Sequence, residues 1–209
     1  GSSKSWVLIA TLKKKICILG PIPMEKEIGG VAVFDMGLFD GFHRLGTDVF
    51  IATEQTEECP VRCRRINHRN IRSVMEEEQP DLILASLAYG TYFSQLGKWG
   101  PRILMLHGVF NYRDYGRIKT LAAVALQRRM IRHSDYVFAN SNLTRVMNRL
   151  MWNFPVDAVI PLGTTWDFIR QAEADPLIRN AANRRVVYVG RWVKSKQVDK
   201  IVRAAVLLH

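Results

Sequence analysis

Apolar side chains along this chain fall into short, nearly continuous runs, separated by longer segments in which they recur every three or four residues. The runs are typical of strands buried on both faces of a sheet, and the periodic segments are typical of helices with one face on a core. Buried strands are predicted at 15–20, 48–52, 81–85, 102–106, 136–139 and 156–160, and an alternating, edge-like strand at 61–66.

Helices are predicted in the intervals between these strands. The first begins near Gly29-Gly30 and ends at Gly46, with apolar residues in steps of three and four. Its predicted core face is Val31, Phe34, Leu38, Phe42 and Leu45. Shorter helices are predicted at 71–78 and, capped by Ser141, at 143–152. Alternating strands and helices predict an α/β fold with a doubly wound parallel sheet, Rossmann-like in kind.

The longest predicted helix covers 117–133. Its apolar side chains form one row with i+4 spacing, which is expected to pack on the sheet. The row is Ile118, Ala122, Leu126 and Met130, backed by Leu121 and Ala125.

A second strand and helix pattern follows near the end of the chain. The stretch 186–190 has the pattern of a buried strand and is followed by a helical run that stops at His209, whereas 161–183 is poor in strand signals. The predicted organisation is a tag and N-terminal extension at 1–14, an N-terminal Rossmann-like domain at 15–163, a linker at 164–184 and the incomplete start of a second Rossmann-like domain at 185–209.

Basic residues outnumber acidic ones, 30 against 19, which gives a formal charge of +11. Such an excess attracts anionic partners: nucleotide phosphates, nucleic acid or acidic lipid. Between Arg113 and Arg132 the only acid is Asp114. The six cations there are Arg113, Arg117, Lys119, Arg128, Arg129 and Arg132. They are either a solvated basic face or a surface that brings the protein to an anionic membrane.

The three cysteines, Cys17, Cys59 and Cys63, are few and odd in number. Unpaired thiols and a reducing, cytoplasmic compartment are therefore expected. Cys59 and Cys63 with His68 fit no standard zinc spacing and lack a fourth ligand, so no metal site is predicted. No apolar run approaches the roughly 18 residues of a membrane-spanning helix.

Ligands of open parallel sheets bind beyond the carboxyl ends of the strands, so polar groups there are candidate site residues. Gly29-Gly30 opens a helix and offers free N–H groups to an anion or a sugar hydroxyl, although small residues at a helix start also serve packing. His107 directly follows a strand and is either a hydrogen-bonding group for a sugar or phosphate or a structural histidine. Asn140 and Ser141 end the next strand, where helix capping alone explains both.

The last candidate follows the strand at 186–190. Gly190 allows close approach of the backbone, Arg191 offers a planar fork to phosphate oxygens, and Lys194 and Lys196 are mobile cations, although surface lysines are also common. Glycines directly after the first strand do not follow the GxGxxG spacing of nicotinamide-binding folds, because Gly29 comes nine positions after Gly20.

Val-Tyr-Val-Gly-Arg at 187–191, Lys196 and the helical run 198–205 resemble the first strand and helix of the C-terminal domain of retaining glycosyltransferases of family 4. Gly29-Gly30, His107-Gly108, the stretch 138–141 and the stretch 159–163 follow the order of that family's N-terminal domain. The resemblance covers nearly all of 15–209. It implies a GT-B architecture, in which two Rossmann-like domains face each other across a cleft.

By this resemblance the protein is expected to be a hexosyltransferase that uses a UDP- or GDP-linked sugar as substrate, with no cofactor and no metal. Arg191 and Lys196 would hold the donor diphosphate, His107 would contact the transferred sugar as the catalytic residue, and Gly29 and Gly30 would line the cleft near the phosphates. Asn140 and Ser141 are acceptor-side candidates. The acceptor would be a sugar or a lipid-linked molecule in polysaccharide or glycolipid synthesis, reached at the inner face of the membrane.

Three features depart from the family pattern. Gln197 stands where the family usually has Gly, Thr47 stands where it often has His, and the paired glutamates of the donor site lie beyond the last residue. The chain alone is therefore expected to be inactive and to associate with itself through an exposed face. Two other classes stay open: a nucleotide-cofactor oxidoreductase or epimerase on the same fold, and a basic module that binds phospholipid or nucleic acid, although no recognition element for nucleic acid is evident.

Overall fold

A computed structural model describes residues 14–23, 29–55, 59, 61–161, 163, 188 and 197–207. Its centre is a seven-stranded, all-parallel sheet with the strand order β3-β2-β1-β4-β5-β6-β7. The strands are β1 Lys15–Leu19, β2 Asp48–Thr53, β3 Cys63–Arg65, β4 Leu82–Ser86, β5 Arg102–Leu106, β6 Tyr136–Ala139 and β7 Ala158–Val159. The doubly wound parallel sheet predicted from the sequence is thus confirmed.

Helices cover both faces of this sheet. They are α1 Gly30–Arg44, α2 Ile71–Glu78, α3 Tyr112–Tyr115, α4 Arg117–Arg132, α5 Asn142–Trp152 and α6 Val198–Leu207, together with a 3₁₀ helix at Leu87–Gln95. The 3₁₀ helix and α3 were not predicted, because a 3₁₀ helix lacks the α-helical period and α3 has only four residues. The domain boundaries stay a prediction, since most of 164–196 lies outside the described residues.

Side chains of β1 alternate between two hydrophobic clusters, one on each face of the sheet. Cys17 and Leu19 pack in the cluster under α2, the 3₁₀ helix and α4, whereas Ile16 and Ile18 pack in the cluster under α1. Fully burying an aliphatic side chain of this size contributes about 1.5–3 kcal/mol. The alternation explains why the strand reads as a continuous apolar run.

The predicted helix at the start of the chain is confirmed, and its predicted core face is confirmed in part, since Leu38 and Phe42 pack against the core cluster under α1. The residues of α1 that the structure buries are Ala32, Asp35 and Phe39, and Leu45 is 80% exposed. The other predicted core residues of α1 are half-buried flanks of this stripe. The helix is rotated so that a carboxyl group, not an apolar side chain, lies at the middle of its buried face.

The predicted core row of α4 is wrong. Ile118 is 85% exposed and Leu121 is 53% exposed, and of the predicted row Met130 alone is buried. Thr120 faces inward because its hydroxyl donates to the Asn111 carbonyl at 2.9 Å. The same rotation buries Val124, Gln127 and Met130 with it, so the apolar row of this helix lies largely on the surface.

Two of the three cysteines are paired, contrary to the prediction of unpaired thiols. Cys59 and Cys63 form a disulfide, and Cys17 is free and buried. Burial, and next the Glu78 carboxylate, raise the pKa of the Cys17 thiol.

Candidate functional site

Polar groups from four strands meet at the carboxyl edge of the sheet. Gly20 follows β1, Ser86 ends β4, His107 follows β5 and Asn140 follows β6. The order of the strands reverses between β1 and β4. Open α/β sheets bind their ligands at such a switch point, because the helices on either side diverge there and leave a crevice.

A chain of hydrogen bonds links three side chains at this edge. The Ser86 hydroxyl donates to Asp35 Oδ1 at 2.7 Å, and Ser86 Oγ lies 3.0 Å from His107 Nε2. Asp35 is fully buried, Ser86 is 3% exposed and His107 is half-buried. The chain therefore runs from a buried carboxyl group on α1 to an imidazole that reaches the surface.

Gly20 makes room for the Asp35 carboxyl group. A Cβ atom at position 20 would lie 2.0 Å from Asp35 Oδ2 and 2.9 Å from Asp35 Cγ. Oδ2 is buried and makes no hydrogen bond within the described ranges. Any side chain at position 20 would force the carboxyl group to move, which would disturb its hydrogen bond with Ser86.

Burial shifts the pKa values of Asp35 and His107, the two ends of the hydrogen-bond chain, so that the neutral form of each is favoured. Desolvation raises the pKa of Asp35 to about 7, although the hydrogen bond from Ser86 opposes the shift. Desolvation lowers the pKa of His107 to about 4. At neutral pH His107 is therefore an uncharged imidazole, able to donate one hydrogen bond and accept another. It is not a fixed cation for a phosphate.

The loop after β5 is held by three side-chain donors from β6 and α5. Asn140 Nδ2 donates to the His107 carbonyl at 3.0 Å, Asn148 Nδ2 to the Gly108 carbonyl at 2.9 Å and Trp152 Nε1 to the Phe110 carbonyl at 2.9 Å. On the other side, the edge of the Phe34 ring packs on the His107 ring with centroids 4.9 Å apart. These contacts fix the imidazole before any ligand binds.

The backbone is strained at the residue after Ser86. Leu87, the next residue, has a φ of 53°. This left-handed conformation costs a non-glycine residue roughly 1–2 kcal/mol, and such strain clusters at functional sites. Here it turns the chain sharply from β4 into the 3₁₀ helix while the Ser86 side chain keeps its place in the hydrogen-bond chain.

Gly29 and Gly30 begin α1 as the sequence predicts. Gly29 is the N-cap residue and provides no side-chain cap, and a Cβ atom at either glycine would meet nothing within 4 Å. Phe34 lies one helical turn after Gly30 on the same face, so the open start of α1 lies on the side of the helix that contacts His107. The structure thus brings these glycines toward the same crevice.

Asn140 and Ser141 have internal partners. Asn140 Oδ1 accepts from the Thr144 hydroxyl at 2.7 Å, and Ser141 Oγ caps α5 by accepting from the Thr144 N–H at 3.0 Å. These bonds position the loop that carries His107, and contact with an acceptor stays a prediction. Arg191 and Lys196, predicted to hold the diphosphate, lie outside the described residues. Gln197 has a φ of 50°, a conformation that favours glycine.

Asp35 and Ser86 are the site residues that sequence reasoning missed. The predicted core face of α1 left Asp35 beside the stripe, and the fourth strand was predicted to end at Ala85. The signal available was the spacing of Ala32, Asp35 and Phe39 in steps of three and four, which is that of one buried row.

Elsewhere, a pocket of about 410 Å³ lies at the opposite, amino edge of the sheet, lined by Trp99, Pro101 and Asp135 among others. Parallel sheets do not bind their ligands at that edge. No helix within the described ranges is long and apolar enough to cross a membrane.

Comparisons with known proteins give a likeness of fold. No family model matches the chain, and no curated protein sequence matches it. Its structure is similar to that of a sucrose-phosphate synthase from Thermosynechococcus elongatus, with a TM-score of 0.58 and 14% identity over 73% of this chain and 49% of that one. The chain therefore spans about half the length of that protein.

Two further solved structures are less similar. Both are of an alpha-glucosyltransferase in complex with UDP and a 13-mer DNA. The first contains a central A:G mismatch and has a TM-score of 0.45 at 15% identity, over 69% of this chain and 40% of that one. The second contains a HMU base and has a TM-score of 0.46 at 14% identity, over 69% and 41%. The likeness to the sucrose-phosphate synthase, at 14% identity, supports the Rossmann-like α/β fold alone.

Proposed function

We propose that this chain forms the acceptor-side domain of a GT-B glycosyltransferase of family 4, which transfers a sugar from a nucleotide diphosphate with retention at the anomeric carbon. The observation that carries the proposal is the fixed, uncharged His107 at the switch point of the sheet. A sugar presents neutral hydroxyl groups, and a neutral imidazole is suited to them as both donor and acceptor. The fold likeness to a sucrose-phosphate synthase supports the same class of reaction.

Each proposed role follows from the chemistry of the group. His107 hydrogen-bonds the transferred sugar, and the N–H groups at the open start of α1, at Gly29 and Gly30, lie near the phosphates. Arg191 and Lys196 hold the diphosphate by resemblance to the family. Charge that develops on the leaving diphosphate would be stabilised by these cations and N–H groups, which are oriented in advance.

Calorimetric titration of the chain with UDP- and GDP-sugars tests where the donor binds. We expect millimolar or weaker affinity, because most of the donor site belongs to the second domain. Micromolar affinity would place the donor site in the first domain and contradict the proposed roles of Arg191 and Lys196. Binding of a nicotinamide dinucleotide in place of nucleotide sugars would favour the oxidoreductase alternative.

A longer protein that carries a complete second domain after residue 209 tests those two cations directly. Arg191→Ala and Lys196→Ala should each weaken donor affinity by about 10- to 100-fold, since a charge-assisted hydrogen bond contributes about 1.5–3 kcal/mol. Asp40→Asn, on the exposed side of α1, is the control variant. Donor affinity unchanged in both alanine variants would rule out the assignment. The anomeric configuration of the product, read by NMR, tests retention.

The surface formed by α3 and the start of α4 supports a lipid-linked acceptor. Its exposed apolar side chains are Tyr112, Tyr115, Ile118 and Leu121, and they alternate with Arg113, Arg117 and Lys119. An apolar and basic surface of this kind binds the interface of anionic membranes. We propose that it places the acceptor side of the enzyme on the inner, cytoplasmic face of a membrane.

Co-sedimentation with liposomes tests this surface. Binding should rise with the fraction of anionic lipid and fall with salt, and it should fall in the triple variant Arg113→Ser, Arg117→Ser and Lys119→Ser. The matched control is the triple variant Arg65→Ser, Arg69→Ser and Arg72→Ser, which removes the same charge from exposed positions elsewhere. An equal loss in both triple variants would indicate attraction by net charge alone, and equal binding to neutral vesicles would contradict the membrane role.

A further inference from the structure

We propose that Asp35 is a positioning residue that acts through Ser86 to determine which ring nitrogen of His107 carries the proton. This inference rests on the proposed function, because the state of the His107 ring decides how it hydrogen-bonds a sugar hydroxyl. Asp35 itself is buried and is not expected to touch the substrate.

The Ser86 hydroxyl has one hydrogen and can donate it to only one partner. When Asp35 is ionised, its carboxylate is an acceptor only, so Ser86 donates to Oδ1 at 2.7 Å. The contact of 3.0 Å between Ser86 Oγ and His107 Nε2 must then be a bond in which Nε2–H donates. In the neutral ring this leaves Nδ1 without a hydrogen, as an acceptor.

The donor and acceptor roles in these hydrogen bonds reverse when Asp35 is protonated. The carboxyl group can then donate to Ser86 Oγ, and the hydroxyl hydrogen turns to His107 Nε2. The ring now carries its hydrogen on Nδ1, which becomes a donor. Nδ1 makes no hydrogen bond within the described part of the chain, so it is the atom that a ligand hydroxyl would meet.

Among the residues that the structure describes, no other charged group shifts the pKa of Asp35 or of His107. The described contacts of the Asp35 carboxyl group come from Gly20 after β1 and Ser86 on β4, and neither residue titrates near neutral pH. From β5, His107 is the titratable group next along the chain, and on α1 the neighbouring Phe34 covers the ring. Burial and Ser86 alone account for the shifted pKa of Asp35.

A ring nitrogen that changes from acceptor to donor would prefer different partners. With Asp35 ionised, Nδ1 accepts a hydrogen bond from a sugar hydroxyl. With Asp35 protonated, Nδ1 donates instead, and a ligand hydroxyl must rotate to accept. Because Asp35 titrates near pH 7, the exchange would fall within the physiological range.

Nitrogen-15 NMR of the His107 imidazole in the 209-residue chain, recorded from pH 5 to pH 9 without ligand, tests the inference. In the wild type we expect the ring hydrogen to move from Nδ1 to Nε2 as the pH rises through about 7. Asp35→Asn, which keeps the shape but removes the ionisation, should abolish this exchange. Ser86→Ala should abolish it by breaking the chain. Asp40→Asn on the same helix should leave it unchanged.

The inference is overturned if the tautomer of the wild type does not change with pH, if the change persists in Asp35→Asn, or if it persists in Ser86→Ala. Should Ser86→Ala fail to fold, the near-isosteric Asp35→Asn decides alone. The measurement requires no nucleotide sugar. A tautomer exchange together with micromolar nucleotide-sugar binding by this chain would therefore refute the proposed donor roles and leave the role of Asp35 intact. A tautomer that does not change with pH would overturn the role of Asp35 and leave the proposed function untouched.

Discussion

The two edges of the central sheet use charged groups in opposite ways. At the amino edge an aspartate directly precedes each of β4, β6 and β7 and exchanges hydrogen bonds with the neighbouring strand. Asp81 pairs in this way with Lys15, Asp135 with Arg102 and Asp157 with Val137, and six of these bonds measure 2.8 Å. The aspartate carboxylates accept hydrogen bonds from backbone N–H groups in the first or second residue of β1, β5 and β6.

Charges at the amino edge also have partners of opposite sign. The buried carboxylate of Glu78 contacts Lys15 and Arg62 and lies 3.4 Å from Arg64. Arg102 lies 3.0 Å from Asp135. Arg62 and Arg64 are therefore part of the structural framework and are not available to an anionic partner.

At the carboxyl edge, by contrast, the buried carboxyl group has no partner of opposite charge among the described residues. Asp35 is buried with no ion pair in the described part of the chain, and one of its oxygens lacks a hydrogen-bond partner there. A buried polar group left unsatisfied costs about 1–3 kcal/mol. Close packing with Gly20 and strain at Leu87 accompany it. Groups that stabilise the fold thus collect at one edge, and groups that cost stability collect at the edge where ligands bind.

The largest effect expected from this contrast is the pH dependence of Asp35→Asn. The folded-state pKa of Asp35 is raised from 3.8 to about 7, so the stability linked to its protonated form is full below pH 3.8 and is lost as the pH rises through 7. The variant has no such loss. Between pH 4 and pH 8 the free energy of unfolding of the wild type should therefore fall, relative to that of Asp35→Asn, by on the order of 4 kcal/mol.

Urea unfolding at a series of pH values measures this difference. The exposed Asp40→Asn serves as the control and should follow the wild type at every pH. A constant difference between Asp35→Asn and the wild type from pH 4 to pH 8 would show that the Asp35 carboxyl group is not held in a desolvated site.

Gly20→Ala should have the next largest effect. The new methyl group would overlap the Asp35 carboxyl group, since a Cβ atom there lies 2.0 Å from Oδ2. Overpacking costs about 1–3 kcal/mol, and the broken bond to Ser86 adds about 1 kcal/mol. A total loss of about 3 kcal/mol is expected in chemical unfolding at pH 7.

A double-mutant cycle identifies the cause of that loss. In an Asp35→Ala background the carboxyl group is absent, so Gly20→Ala should then cost less than about 1 kcal/mol. An equal cost in both backgrounds would mean that the glycine is required for another reason.

Asp135→Asn at the amino edge should have the smallest effect and the opposite pH dependence. Hydrogen bonds from Arg102 lower the pKa of Asp135, so the stability that it contributes is present above pH 3.8 and is lost as the pH falls through its folded-state pKa. The carboxylate is largely exposed, and exposed pairs contribute under about 1 kcal/mol. The variant should be less stable than the wild type at pH 7 and equal to it in strong acid. A deficit that grows on acidification would refute this assignment.

Much of the framework was predictable from the sequence because each strand is a short apolar run and each long helix has a period. The predicted bounds of β5 and β6 and the N-cap at Ser141 agree with the structure. The faces of α1 and α4 were not predictable from apolar periodicity, because each buries polar side chains with partners outside the helix: Asp35 of α1 bonds Ser86, and Thr120 of α4 bonds the Asn111 carbonyl.

The candidate site was predictable only where it follows a strand. His107 and the start of α1 stand directly after recognisable patterns, and the structure places both at the carboxyl edge. The link from Asp35 through Ser86 joins residues 51 and 21 positions apart. Such contacts depend on strand order and register, which a single sequence does not state.

A proton–nitrogen correlation spectrum of the chain, recorded during titration with millimolar UDP- and GDP-sugars, tests most directly whether the carboxyl edge is the ligand-binding edge. Even weak binding moves the signals of contacted groups. We expect shifts at Gly29, Gly30, Ser86 and His107, and none at Asp81, Arg102 or Asp135. Shifts confined to the amino edge would contradict the proposal that the carboxyl edge of the sheet binds a sugar nucleotide.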